Sequence, residues 1–164
     1  MRPGFAACAV ALLMVAGAAA GAPTAADFVL VEKAQHRMTL FANHRVLRTY
    51  RVALGSGGLA AKAREGDRRT PEGRYRIDGR LKQSAFHLAL HISYPSAADR
   101  RAAAMRHVRP GGAIMIHGLP NGMGWLGAKH RLFDWTYGCI AVTDEEIEEI
   151  WRLVPNGTAV EIRK

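Results

Sequence analysis

The sequence predicts a mainly β domain with a few helices, an α+β fold, and three observations carry that prediction. Short apolar or alternating runs of strand length recur through the chain. Glycine, proline and asparagine punctuate them, with no internal repeat and no linker, so the 164 residues read as one domain after their first segment. Helical patterning is confined to two short stretches, near residues 96–106 and 143–154.

The first twenty residues stand apart. Arg2 gives a positive start, Phe5 to Gly17 is apolar or small, and Ala18-Ala-Ala20 is a small-residue cleavage pattern, so residues 1–20 read as a secretory signal peptide. The apolar stretch is short for a bilayer span, and retention as an anchor is the alternative. Export places the mature chain in the periplasm or cell envelope and removes Cys8, leaving Cys139 as its one cysteine. In an oxidising compartment such a cysteine pairs with another chain, lies inert in the core, or serves as a reactive thiol. The mature chain keeps 22 basic against 14 acidic residues, a charge of +8, since only Arg2 is lost. That charge favours an anionic partner, such as an acidic polymer of the envelope, and it also serves solubility. Export, and an aromatic content of 7% with no interleaved aromatic and basic strand, argue against nucleic acid.

Phe28–Val31, Arg37–Phe41 and Val46–Leu54 are strand-like, and the Ala42–Arg45 break is a hairpin turn, so the first half is an antiparallel meander. Gly55–Arg69 is a long glycine-rich and basic loop. It lacks a following Gly-Lys-Ser/Thr and opens no helix, which argues against a nucleotide cradle. Thr70-Pro-Glu-Gly73 is a turn into a strand at Arg74–Ile77. Ser84–Ser93 alternates as one strand, with Phe86, Leu88, Leu90 and Ile92 on one face and His87 and His91 on the other. Those histidines would stand ~13 Å apart at the usual strand rise, too far to share a metal ion. They either line the wetter face or orient a substrate.

Ser96–Arg106 is a short alanine-rich helix with Ser96 as its cap. Ala113–Ile116 is a buried type of strand that delivers His117 at its C-terminal end. Leu119–Asp134, rich in glycine, is a loop over a cleft, where Trp125 and Trp135 either grip a substrate or pin the loop to the core. After the strand-like Ile140–Val142, Thr143-Asp-Glu-Glu146 has the spacing of a capping box. The helix it opens turns Ile147, Ile150, Trp151 and Val154 inward, and Pro155-Asn-Gly157 stops it. Thr158–Ile162 is a closing strand inside the sheet.

An unperturbed thiol, of pKa about 8.5, is mostly protonated at neutral pH, so a nucleophilic Cys139 needs a base. His117 is the candidate base, carried to it by the intervening loop. Gly138 lets the backbone approach a substrate carbonyl, and Thr136 offers a hydroxyl that either supports the site or caps a strand.

His117-Gly118, eighteen residues between His117 and Thr136, then Thr136-Tyr137-Gly138-Cys139, is similar to the catalytic signature of the L,D-transpeptidases of bacterial cell walls, the YkuD-like domains. Thr70-Pro-Glu-Gly73 resembles the turn before a strand in that family, and the resemblance runs over residues 28–162. It implies a mixed β-sandwich with an amphipathic helix after the cysteine. It also implies acyl transfer through a thioester, with Cys139 as nucleophile, His117 as general base and acid, and Gly118, Thr136, Tyr137 and Gly138 supporting the site or its oxyanion. His87, His91 and Trp125 are the substrate-binding candidates. No cofactor and no metal are called for. The implied partners are peptidoglycan stem peptides and an outer-membrane lipoprotein, with no oligomeric state specified.

Two positions depart from the commoner family pattern. Many members carry histidine where this chain has Tyr137, and arginine two residues after the cysteine, where it has Ala141. The stretches Cys139–Glu146 and Phe86–Pro95 look like a subgroup of Gram-negative envelope proteins that includes an amidase releasing that lipoprotein from peptidoglycan. Transfer to an amine, hydrolysis by a thiol amidase or carboxypeptidase, and a non-catalytic peptidoglycan-binding domain all remain open at this level.

Overall fold

The computed structural model describes residues 25–164, so the predicted signal peptide lies outside the described residues. Strands β1 (Phe28–Glu32), β2 (Arg37–Ala42) and β3 (Arg45–Arg51) form the expected antiparallel meander. Asn43 and His44 both take left-handed backbone, φ 50° and 62°, as a two-residue turn matched to the strand twist requires. The long β4 (Gly73–Ser84) and β5 (His87–Ile92) follow, then helix α1 (Ala97–Met105), β6 (Met115–His117), a 3-10 helical segment (Gly124–Leu132), β7 (Ile140–Ala141), helix α2 (Asp144–Leu153) and β8 (Ala159–Arg163).

The strands form one mixed eight-stranded sheet in the order β3-β2-β1-β8-β4-β5-β6-β7. The last strand enters its middle, as predicted, pairing parallel with β1 and antiparallel with β4. Strand β4 curls the sheet: Gly73–Arg76 pair with β8, Ile77–Ser84 pair with β5, and the register shifts between Ile77 and Gly79. Ala53, just past β3, bridges to Ala141 of β7, so the far ends of the sheet meet. Between the halves lies a single core that includes Val31, Leu40, Ile77, Leu90, Ile116, Ile140 and Val160, with Ile147, Ile150 and Leu153 of α2.

Both helices start on reciprocal capping boxes, Ser96 with Asp99 and Thr143 with Glu146. Each cap is worth ~1 kcal/mol. Ile147 and Ile150 are fully buried as predicted, and burial of each contributes ~1.5–3 kcal/mol. Trp151 is only half-buried, with the Arg80 guanidinium 4.2 Å from its ring centroid, while Leu153 takes a place in the core.

Two expectations fail. Residues 84–93 are not one strand: Ser84 ends β4, Ala85 and Phe86 turn, and β5 starts at His87 with φ 61°. The apparent alternation ran through a hairpin. Residues 119–134 are not a plain loop either, because Gly124–Leu132 form 3-10 helix with a non-helical kink at Gly127. Short 3-10 turns have no 3.6-residue apolar stripe to betray them.

Candidate active site

Strands β5, β6 and β7 carry the predicted pair. Ala89 faces His117 and His91 faces Met115 across β5 and β6, while Ile116 and His117 pair parallel with Ile140 and Ala141. Side chains alternate, so His91, Met115, His117 and Ala141 share the face opposite Leu90, Ile116 and Ile140. Cys139, one residue before β7, falls beside Met115, whose N–H is directed at the sulfur. His117 thus ends one strand, and Cys139 stands on the turn that enters the adjacent one.

His117 is 2% exposed, covered by Phe86 at 4.4 Å and Trp135 at 5.8 Å between ring centroids. Its Nδ1 lies 2.7 Å from the Gly118 carbonyl oxygen. A carbonyl only accepts, so Nδ1 carries the proton and Nε2 keeps the lone pair a base needs. Burial lowers the imidazole pKa, opposed by that hydrogen bond. Burial raises the Cys139 thiol, opposed by Met115 N–H and the Lys62 cation. The resting pair is therefore neutral thiol and neutral imidazole. The thiol donates to the Ala113 carbonyl at 3.6 Å, and no hydrogen bond joins it to His117 at rest.

Thr136 is buried and ties the turn that carries Cys139. Its hydroxyl donates to the Cys139 carbonyl at 2.8 Å and accepts from the Gly138 N–H at 3.1 Å. The Gly138 amide is thereby committed and is not a free oxyanion donor, contrary to expectation. The Cys139 N–H has no partner among the described residues. Gly138 takes φ 123°, and a Cβ there would lie 2.7 Å from the Arg69 carbonyl oxygen. Its missing side chain admits the 55–72 loop as well as its backbone angle.

That loop forms one wall. Asp67 accepts from Lys62 Nζ at 2.8 Å and from the N–H groups of Ala63, Arg64 and Arg69. Burial alone would raise its carboxyl, but these donors overcome it and hold the pKa at about 2. The fully buried Lys33 anchors the loop from beneath, donating to the carbonyls of Ala60 and Thr70 and pairing with Glu72 at 2.9 Å. Arg68 lies over the exposed Tyr137 ring, 4.8 Å from guanidinium to centroid.

The segment after His117 forms the other wall. Leu119 N–H donates to Asp144 Oδ1 at 2.8 Å, and a Cβ at Gly118 or Gly124 would come within 2.6 or 2.5 Å of that carboxylate. Gly118 thus serves close approach to α2. Arg131 pairs with Glu146, locking the 3-10 segment to the same helix. Between them an apolar cavity of about 260 Å³ is lined by Leu119, Met123, Leu126, His130, Phe133 and Trp135. Trp135 Nε1 donates to His130 Nδ1 at 3.3 Å, and burial, with Arg131 nearby, lowers His130 to about 4.

Trp125 stands 77% exposed, so it does not pin the segment to the core, whereas Trp135 packs on His117. His91 keeps the site face and bonds Asp78 at 2.5 Å. His87 does not share it. Its Cβ lies 3.2 Å from where a Gly118 Cβ would stand, on the α2 side, and its ring pairs with Glu148. Left-handed backbone at the strand start takes it out of the alternation. The sequence reading missed Phe86, Lys33, Asp67 and Asp144 as site-building residues. Only the Asp67-Arg-Arg69 run ahead of Thr70-Pro-Glu-Gly73 hinted at one of them.

A curled mixed sheet that sets His117-Gly118 at the end of one strand and Thr136-x-Gly138-Cys139 on the turn into its neighbour matches the L,D-transpeptidase type of domain. Residues 26–162 match the model of the L,D-transpeptidase catalytic domain, YkuD, and the chain belongs to that family. It is 33% identical to YafK of Escherichia coli (strain K12) over 113 residues, 68% of this chain and 38% of that protein. The helical cell shape determining protein Pgp2 from Campylobacter jejuni shares the fold, with TM-score 0.64 and 23% identity over 84% of this chain and 47% of that one. So does Mycobacterium tuberculosis L,D-transpeptidase 1, with TM-score 0.52 and 15% identity over 84% of this chain and 60% of that one. The chain spans less than half of the length of YafK and of the Pgp2 chain.

Proposed function

We propose that the chain is an exported acyltransferase of the cell envelope that works on peptidoglycan stem peptides through a Cys139 thioester. The observation that carries this reading is the placement of Cys139 beside the strand bearing His117, whose Nδ1–H is held by a carbonyl so that Nε2 is the basic nitrogen. Substrate entry turns the Sγ–H from Ala113 toward Nε2, which takes the proton as sulfur attacks. The carbonyl attacked is the one on the L-centre side of diaminopimelate, in its bond to D-alanine. The Cys139 N–H is the donor left for the oxyanion, since Thr136 occupies that of Gly138. The C–N bond breaks, the amine leaves with the proton from His117, and a thioester remains.

A second stem-peptide amine then attacks to give a 3-3 cross-link, or the amine of an outer-membrane lipoprotein does so. Water as acceptor makes the enzyme an amidase or carboxypeptidase, and Tyr137 and Ala141, the two departures from the commoner pattern, favour keeping that second reading. The basic charge of the chain suits the anionic wall polymer. Incubation with a defined tetrapeptide tests the choice: cross-linked dimers support transfer, and free D-alanine with no dimer, despite ample acceptor amine, overturns it in favour of hydrolysis. Neither product would leave an amidase confined to the lipoprotein link or a non-catalytic wall-binding domain.

A further inference from the structure

Among the cations of the 55–72 loop, Lys62 and Arg69 are spent inside the loop, whereas Arg68 lies against Tyr137 of the turn that carries Cys139. Lys62 is 4% exposed at its side chain and pairs with Asp67, and Arg69 Nε donates to the Gly57 carbonyl. The Arg68 guanidinium makes neither hydrogen bond nor ion pair among the described residues and lies over the face of Tyr137.

The backbone holds it there. Arg68 takes φ 55°, a conformation disfavoured for any residue with a Cβ, and its neighbours over-determine it. Asp67 on one side gathers a cation and three N–H groups, the Arg69 N–H among them, and the Arg68 carbonyl accepts from Gly57 N–H at 2.9 Å. The guanidinium is thus delivered by a braced loop onto an aromatic ring two residues before Cys139. The ring lies under the guanidinium carbon while its N–H donors have no protein partner among the described residues, and a guanidinium with free donors can grip a carboxylate with two parallel bonds. Tyr137, 73% exposed, has no packing role that would otherwise explain an aromatic ring at this position.

We infer that Arg68, held over Tyr137, is a carboxylate-binding site beside the turn that carries Cys139 and selects substrates bearing a free carboxylate next to the bond attacked. This rests on the acyl-transfer reading for its substrate but not for its test. Two carboxylates of a stem peptide fit: that of the terminal D-alanine, and the one on the diaminopimelate side chain. Both present the same chemistry to Arg68.

The experiment is calorimetric binding of a synthetic tetrapeptide to the Cys139→Ala protein, which cannot turn it over. Three forms are compared: both carboxylates free, the terminal one amidated, and the diaminopimelate one amidated. One amidation is expected to weaken binding about 10-fold or more, identifying the carboxylate held, as loss of a charge-assisted bidentate pair does. Adding Arg68→Gln is expected to weaken the free form by a similar factor and to abolish the difference between the peptides, with Arg68→Lys intermediate. Equal affinity for all three peptides, or a preference that survives Arg68→Gln, overturns the proposal. Failure of the catalytic reading shows separately, as wild-type protein that binds the peptide but forms no acyl-enzyme.

Discussion

Asp67 and Asp144 each organise one wall of the Cys139 site, the first by collecting donors and the second by being fitted with glycines. Around Asp67 a lysine and three backbone amides converge, and the wall that results is basic. Around Asp144 a single amide donates, while Gly118 and Gly124 pack so tightly that neither position has room for a Cβ, and the wall that results is apolar. The difference teaches how each wall fails. The first is held by charge and is sensitive to pH. The second is held by shape and is sensitive to a single methyl group.

The largest effect sits between the walls, where both are needed. Cys139→Ala is expected to abolish product formation from a tetrapeptide, measured by chromatography, while leaving the melting temperature within a few degrees. Thr136→Val, which strands the Gly138 N–H and the Cys139 carbonyl, is expected to lower kcat by roughly 10–100-fold, with Thr136→Ser restoring most of it. Equal loss in both variants would mean that the hydroxyl bonds are not what shapes the turn.

On the apolar wall, Gly118→Ala would place its methyl 2.6 Å from Asp144 Oδ1 and 2.9 Å from Ile147 Cγ2. Overpacking of this kind costs ~1–3 kcal/mol, to be read as a lower urea midpoint. On the basic wall, Asp67→Asn is expected to cost about 1–2 kcal/mol, since it weakens bonds that a charge now strengthens. Its pH signature separates the two walls. The Asp67 carboxyl titrates at about 2, below its ordinary 3.8, so its contribution is complete above pH ~4 and is lost as pH falls toward 2. Between those values Asp67→Asn should show a flatter stability profile than wild type, and Gly118→Ala should parallel it.

The smallest effect expected is at His130. Like His117 it is a buried imidazole against Trp135, yet its Nδ1 accepts where that of His117 donates. His130→Gln should change kcat several-fold at most, against a loss of orders of magnitude for His117→Gln. A lowered pKa alone does not make a base.

What the sequence revealed follows from where the chain obeys a local rule. The meander, the Thr143 capping box, His117 at a strand end and Cys139 just before a strand-like step all rest on period, cap or motif. Phe86 was misread because a two-residue turn sits inside an unbroken alternation, so a position assigned to the core face instead covers His117. Lys33 and Asp144 escaped because their partners lie far along the chain: Lys33 bonds Thr70 and Glu72 across 37 and 39 positions, and Asp144 bonds Leu119 across 25. Asp67 escaped although its donors are its near neighbours, because an irregular loop has no period or cap to mark it. Gly138 looked like room for substrate, and it is room for the Arg69 carbonyl.

The most direct test of the central claim is intact-mass measurement after mixing the mature protein with a carbapenem, a compound that acylates the catalytic cysteine of L,D-transpeptidases. The account predicts one adduct on wild type, mapped by peptide digestion to Cys139, forming more slowly only at pH below the ordinary imidazole range, where His117, its pKa lowered by burial, takes up a proton. No adduct on wild type, or an unchanged adduct in Cys139→Ala, would contradict it.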